Sequence, residues 1–177
     1  MFIISGFYQY WGVCILEEWR EQLKNKPIRY WSRIEIEEIV KEYRVDRNRF
    51  YEYSKIEYSK VLKKFYYSFA DYKKCPDITL SYVWLNLRKN LKRKFFQYDT
   101  DWLTMLHNVK QYFIRQGSQK LFLILSDGWV YEGYIDEMIT VLSETDGIIE
   151  DFYIVTQKFD SFAVYCADGD CVIIYEK

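Results

Sequence analysis

Four short apolar runs in the last third of the chain constrain the fold most, because segments of that length and content bury themselves as strands. Residues 121–125 (LFLIL) are continuously apolar and are closed by Ser126, Asp127 and Gly128, the length and punctuation of a buried strand. Ile135, Met138, Ile139 and Leu142 then recur at three- and four-residue spacing ahead of Gly147, which predicts a helix and its stop. Residues 152–155, 162–165 and 172–175 are three more β-branched or aromatic runs, separated by the polar turns 157–161 and 167–170. The order predicted for residues 119–177 is strand, helix, strand, strand, strand. A right-handed helical crossover makes the first two strands parallel, and the two hairpins that follow reverse direction twice, so the predicted sheet is small and mixed.

The remaining residues, 1–118, read as mainly helical and must cover that sheet. A chain of 177 residues, half of it apolar, supports one domain with a substantial core, and no linker divides it. Ile15, Leu16, Trp19 and Leu23 share one face of a predicted helix over 12–25 that Pro27 ends. Ser32 and Glu35 form a capping-box pattern before the stripe Ile36, Ile39, Val40 and Tyr43, with Glu35, Glu37 and Glu38 in an acid-rich first turn. Tyr58, Leu62, Phe65, Phe69 and Tyr72 predict a long helix over 47–72. Leu80, Trp84, Leu87, Leu91 and Phe95 predict another, although 78–87 also carries partial strand alternation. Thr100 caps a further helix with Trp102, Leu106, Val109 and Phe113 inward and Gly117 as its stop.

The fold class expected is therefore α+β, a helical N-terminal part packed on a sheet from the C-terminal third. The run 2–16 lacks charges but is shorter than the roughly 20 residues a spanning helix needs, and it carries no cleavage pattern, so it reads as core of a cytoplasmic protein. Cys14, Cys75, Cys166 and Cys171 fit no zinc spacing and suit a reducing compartment.

Charge separates the two parts of the chain. Residues 1–100 carry 20 Lys or Arg against 13 Asp or Glu, while residues 101–177 carry 5 against 13. A polarity of this kind bears on partners rather than on fold, and it would also allow head-to-tail assembly of a homo-oligomer. Arg88, Lys89, Lys92, Arg93 and Lys94 are the densest basic cluster; on a helix flanked by Phe95, Phe96 and Tyr98 they would contact phosphates and stack bases. Asp146, Glu150 and Asp151, before the second predicted strand, fall at the same sheet end as Asp168 and Asp170 in the last turn. Such carboxylates suit a basic protein partner, which needs charge complementarity and not ligand geometry. The spacing fits no calcium loop, and no metal or cofactor is expected.

Catalytic patterns are missing. Seven glycines never approach a nucleotide-binding spacing, and the single histidine, His107, sits mid-helix. Asp127 follows the first strand as a phosphatase nucleophile would, but Trp129 stands where a second acid is needed, so Asp127-Gly128 reads as a turn. Cys166 and Cys171 flank a four-residue turn and would face each other across the last hairpin.

The segment Trp129-Val130-Tyr131-Glu132-Gly133, the helix through Ile135, Ile139 and Leu142 to Glu144, and the run from Phe152 to Asp160 resemble the C-terminal signature of an uncharacterised family of small bacterial cytoplasmic proteins. That family is similar to the immunity proteins of polymorphic toxin systems. The chain departs from the pattern at Ser161-Phe162 and at Tyr165-Cys166-Ala167-Asp168. The resemblance implies a non-enzymatic inhibitor that binds a basic toxin or nuclease, with Trp129, Tyr131 and Tyr134 as aromatic anchors and the acidic end for steering. The alternative is a nucleic-acid-binding protein using residues 88–94.

Overall fold

A computed structural model of the chain describes residues 31–71, 73, 80–96, 101–117, 120–149, 151–166 and 171–177. The expected 12–25 helix, the apolar 2–16 run, Thr100, Cys14, Cys75, Glu150, Asp168 and Asp170 lie outside the described residues. In chain order the elements are α1 (Trp31–Glu42), β1 (Phe50–Glu52), α2 (Tyr58–Phe69), a 3-10 helix (Leu80–Asn86), β2 (Lys92–Phe96), α3 (Trp102–Arg115), β3 (Lys120–Leu125), β4 (Val130–Tyr134), α4 (Ile135–Ser143), β5 (Phe152–Thr156), β6 (Ser161–Cys166) and β7 (Cys171–Glu176). The fold is α+β, and the strands form one seven-stranded sheet in the order β1-β4-β3-β5-β6-β7-β2.

Every neighbouring pair in that sheet is antiparallel, so the expected mixed sheet is corrected. The reason is β4. Its sequence, VYEGY, breaks apolar alternation with Glu132 and Gly133, and it reads from sequence as the approach to a helix. It instead turns back on β3, with Leu123 opposite Tyr131, through a turn in which Gly128 sits at φ +91°. Helix α4 does join two strands of the same direction, as expected, but the first of them is β4, and β3 lies between them.

Two more strands come from the part read as helical. The predicted 47–72 helix is divided into β1 and α2, and the predicted helix through Leu80 and Phe95 becomes a 3-10 helix followed by edge strand β2, which pairs with β7 from Lys92↔Glu176 to Phe96↔Val172. Tertiary pairing overrides the 3.6-residue pattern here, because a place on the sheet satisfies the backbone ladder that an isolated helix would have to satisfy alone. The capping box also shifts. Ser32 lies inside α1, whose first turn carries no acid. In α3 the cap is Asp101, whose side chain accepts from the Thr104 backbone N–H at 3.1 Å and from the Thr104 hydroxyl at 2.7 Å. Gly117 and Gly147, at φ +68° and +69°, stand where the sequence placed helix stops.

Both faces of the sheet are covered. On one face, Trp102 of α3 meets Phe152 and Tyr165 edge-on and donates its indole N–H to the Leu142 carbonyl of α4 at 3.0 Å. Tyr131 on the same face donates to Glu37 of α1. On the other, Phe65 and Phe69 of α2 pack on Tyr153 and Phe162, which stacks on Tyr175, with centroids 4.5–5.6 Å apart. Aromatic pairs of this kind contribute about 0.5–1.5 kcal/mol each beyond their buried area. Among the described residues no helix is long and apolar enough to cross a membrane.

At Gly133 the backbone of β1 lies close against β4. A Cβ there would lie 2.8 Å from both the Arg49 carbonyl oxygen and Phe50 Cδ2. The expected cost of Gly133→Ala is about 1–3 kcal/mol, since backbone cannot yield as a flexible side chain does. Urea denaturation measures it, and an unchanged midpoint would mean that β1 is not held this tightly.

Candidate interaction surface

The antiparallel sheet gathers several connections at one end. Leu125 of β3 pairs with Phe152 of β5, Phe152 pairs with Tyr165 of β6, and Cys166 pairs with Cys171 of β7. The Ser126 N–H donates to the Asp151 carbonyl at 3.2 Å across this end. Asp127 and Asp146 are exposed there, while Asp151 is buried at 9 % exposure. Glu150, Asp168 and Asp170 lie outside the described residues, on the segments that lead into β5 and join β6 to β7. Sequence reasoning left Asp127 out of the acidic set, because a parallel first pair would have sent it to the opposite end.

The Asp127 carboxylate accepts from the Trp129 N–H at 3.3 Å, the local bond of an Asx turn. The carboxyl is pushed up to about 6 by the mass of protein around it, with the Trp129 N–H and Ser32 pulling partly the other way. The residue is nevertheless open to solvent, which screens part of that effect.

The expected aromatic anchors are placed otherwise. Trp129 is 8 % exposed, with its ring under the Arg33 guanidinium at 4.8 Å and the Lys55 ammonium at 4.9 Å, and Tyr58 against it edge-on. Tyr131 is fully buried, stacked on Phe50 at 5.1 Å, and its hydroxyl donates to Glu37 at 3.1 Å. Tyr134 is half-buried under the Arg49 guanidinium at 4.2 Å. Trp129 and Tyr131 are therefore core residues that hold α1 and β1 to the sheet, and neither presents its ring to a partner.

The basic cluster is also corrected, since residues 88–94 form no helix. Arg88 donates from Nε to the Ala70 carbonyl at 3.2 Å and from Nη2 to the Tyr67 carbonyl at 2.5 Å, closing the C-terminal end of α2. Lys94 pairs with Glu176 at 3.2 Å and lies over the Tyr112 ring. Lys89, Lys92 and Arg93 are exposed at and before the edge strand. Between that strand and α3 runs a shallow groove of about 440 Å³ lined by Lys94, His107, Asn108, Gln111, Tyr112, Arg115 and Gln116. Phe95 and Phe96 continue the strand backbone, and Tyr98 lies outside the described residues.

One polar constellation has no counterpart in the sequence reading. Glu132, 6 % exposed, accepts from the Tyr51 hydroxyl on Oε2 and from the Gln157 amide on Oε1, with the Lys120 ammonium 3.4 Å away. Lys120 also donates to the Tyr51 oxygen at 3.0 Å. Burial and the Glu132 carboxylate raise the Tyr51 phenol above its ordinary range. Each oxygen of the carboxylate has a donor, so the network reads as a buried charge made tolerable by its partners, tying β1, β3, β4 and the β5–β6 turn together. Only register, which sequence does not print, brings those four residues to one face. Among the described residues no group of three or more His, Cys, Asp or Glu could hold a metal ion.

The raised Asp127 carboxyl makes stability depend on pH. The folded state binds this proton more readily than the unfolded chain between roughly pH 4 and pH 6, so the group's contribution falls as pH rises through that window. Asp127→Asn keeps the turn acceptor and removes the charge. Its melting temperature should exceed that of the natural chain at pH 7 and match it near pH 3.5; an equal difference at both values would assign the effect to packing.

No curated protein and no solved structure matches the chain. A family model described as a family of unknown function (DUF6756) matches residues 29–177. That span takes in α1, all seven strands and every residue of the acidic end, and the chain belongs to this family.

Proposed function

We propose that the protein is a non-enzymatic interaction protein of the bacterial cytoplasm that binds a basic partner through the acidic end of its sheet, most concretely an immunity-type inhibitor covering the cleft of a toxin such as a nuclease. The observation that carries this reading is the position of Asp127 and Asp146, exposed on separate connections at one sheet end. The segments bearing Glu150, Asp168 and Asp170 run from the same strand ends. Elsewhere the acidic C-terminal part is met from within: Glu137 pairs with Arg49, Glu176 with Lys94 and Asp136 with Lys110, and Glu144 accepts from the Tyr43 hydroxyl. Carboxylates at the sheet end would steer a basic protein toward it and set the rate of encounter.

A second reading rests on Lys92 and Arg93, exposed beside the groove along α3. It takes nucleic acid as the ligand and predicts steeply salt-dependent binding.

Affinity capture from source-cell lysate, with half of each sample treated with nuclease, separates the two. The tagged natural chain should retain one stoichiometric basic protein after nuclease treatment. The variant Asp127→Lys/Asp146→Lys, verified as folded by its melting curve, should bind that protein with an association rate reduced about tenfold or more at low salt and a weaker salt dependence. Equal rates for both chains would remove the acidic end as the site. Loss of all captured protein on nuclease treatment would favour the basic strand.

A further inference from the structure

The last hairpin of the sheet ends on two cysteines in direct register, Cys166 of β6 opposite Cys171 of β7. We propose that they form a reversible dithiol–disulfide site, oxidised by a low-molecular-weight disulfide such as glutathione disulfide.

Directly opposed residues in an antiparallel pair have Cα atoms about 4.5–5.5 Å apart and side chains on one face. A disulfide spans Cα separations of roughly 4.4–6.8 Å, so the backbone already meets the requirement. Both residues are thiols in this structure. Cys166 shares the parity of Phe162, whose ring meets Phe65 and Phe69, so the pair projects toward the α2 face. The position is the last described register pair of the hairpin.

Their exposures differ, and that difference orders the chemistry. Cys166 is 2 % exposed, whereas Cys171 is half-buried and can be reached from solvent. The Cys171 thiolate attacks one sulfur of glutathione disulfide, forming a mixed disulfide and releasing one glutathione thiolate. The Cys166 thiolate then attacks the Cys171 sulfur, the protein disulfide forms, and the second glutathione leaves. The two cysteine protons are taken up by the two glutathione thiolates, so one glutathione disulfide is reduced to two glutathione molecules as the dithiol is oxidised. Low-molecular-weight thiol reverses both steps.

Trypsin cleavage after Lys158 yields a peptide spanning residues 159–177, which contains both cysteines and no other. The native full chain is incubated across a series of glutathione to glutathione disulfide ratios, quenched with acid and alkylated before mass spectrometry. The expected result is a 159–177 peptide that loses two hydrogens under oxidising ratios and regains them with dithiothreitol. The Cys166→Ser variant should hold one glutathione on Cys171, and Cys171→Ser should leave Cys166 unmodified; circular dichroism confirms that each variant is folded. The proposal is overturned if the native chain keeps both thiols at every ratio or stops at a single glutathione adduct on Cys171. It is equally overturned if Cys14 or Cys75 is the partner found, or if the bond closes only when urea has unfolded the chain.

Discussion

The placement of β4 between β1 and β3 is the constraint on which the rest of the sheet depends. Val130–Tyr134 takes one edge of β3 and leaves the other to β5, so β4 and β5 run in the same direction with β3 reversed between them. Helix α4 can then cross one face of the sheet and deliver the chain to β5 without a long loop. Three consecutive residues of β4 hold this arrangement. Tyr131 stacks on Phe50 and bonds to α1, Glu132 accepts from Tyr51 and Gln157, and Gly133 admits the β1 backbone to a distance no side chain permits. A buried carboxylate in such a place is costly unless each oxygen is met, and the donors come from three different elements. Partial assembly would leave that charge exposed to a low-dielectric environment without partners, which favours all-or-none docking of β1.

The division of charge along the chain takes a different meaning once the ends of the ion pairs are known. Arg49 with Glu137 and Lys94 with Glu176 each join the basic part to the acidic part. Part of the polarity is therefore internal complementarity, and the drive for head-to-tail assembly of copies is weaker than the linear count suggests. These pairs are partly exposed, so each adds little to stability; their effect is on which residues remain available outward. The basic residues of β2 have a further physical role. β2 is one edge of the sheet, and lysines on an edge strand oppose pairing with another chain, since the incoming strand would have to bury or displace them.

How much of this was legible in the sequence follows from where each element draws its stability. The strands β3, β5, β6 and β7 are buried runs whose apolar content alone requires a sheet, and they were readable to within a residue or two. Helix α3 was readable because its stripe and its stop agree. β1, β2 and β4 were not, because each is short or polar and exists through its neighbour: β2 contains KRK, and β4 contains Glu and Gly at adjacent positions. Their stabilising pairings are with residues more than 70 positions away in the cases of β1 and β2, a separation that local periodicity cannot report. The same distance hid the Glu132 network. The acidic end was partly legible, since the hairpin order fixes Asp151 near the last turn whatever the direction of β3, but the inclusion of Asp127 required the antiparallel pairing.

The residues of the C-terminal signature, from Trp129 to Asp160, are mostly interior ones. Tyr131, Glu132, Ile135, Leu142 and the whole of β5 are buried, and each has a packing or hydrogen-bonding reason to be the residue it is. A resemblance built on such positions speaks for the way the sheet is assembled, because a core tolerates few alternatives at sites that are stacked, paired and closely approached. It carries less information about what is bound, since binding residues sit disproportionately on loops. Asp127 and Asp146 are exposed on their connections, with Asp127 still holding the Trp129 N–H, so packing constrains them less than it does the stacked residues of the interior. Interior positions of this kind mark a scaffold, and a scaffold by itself does not fix a function.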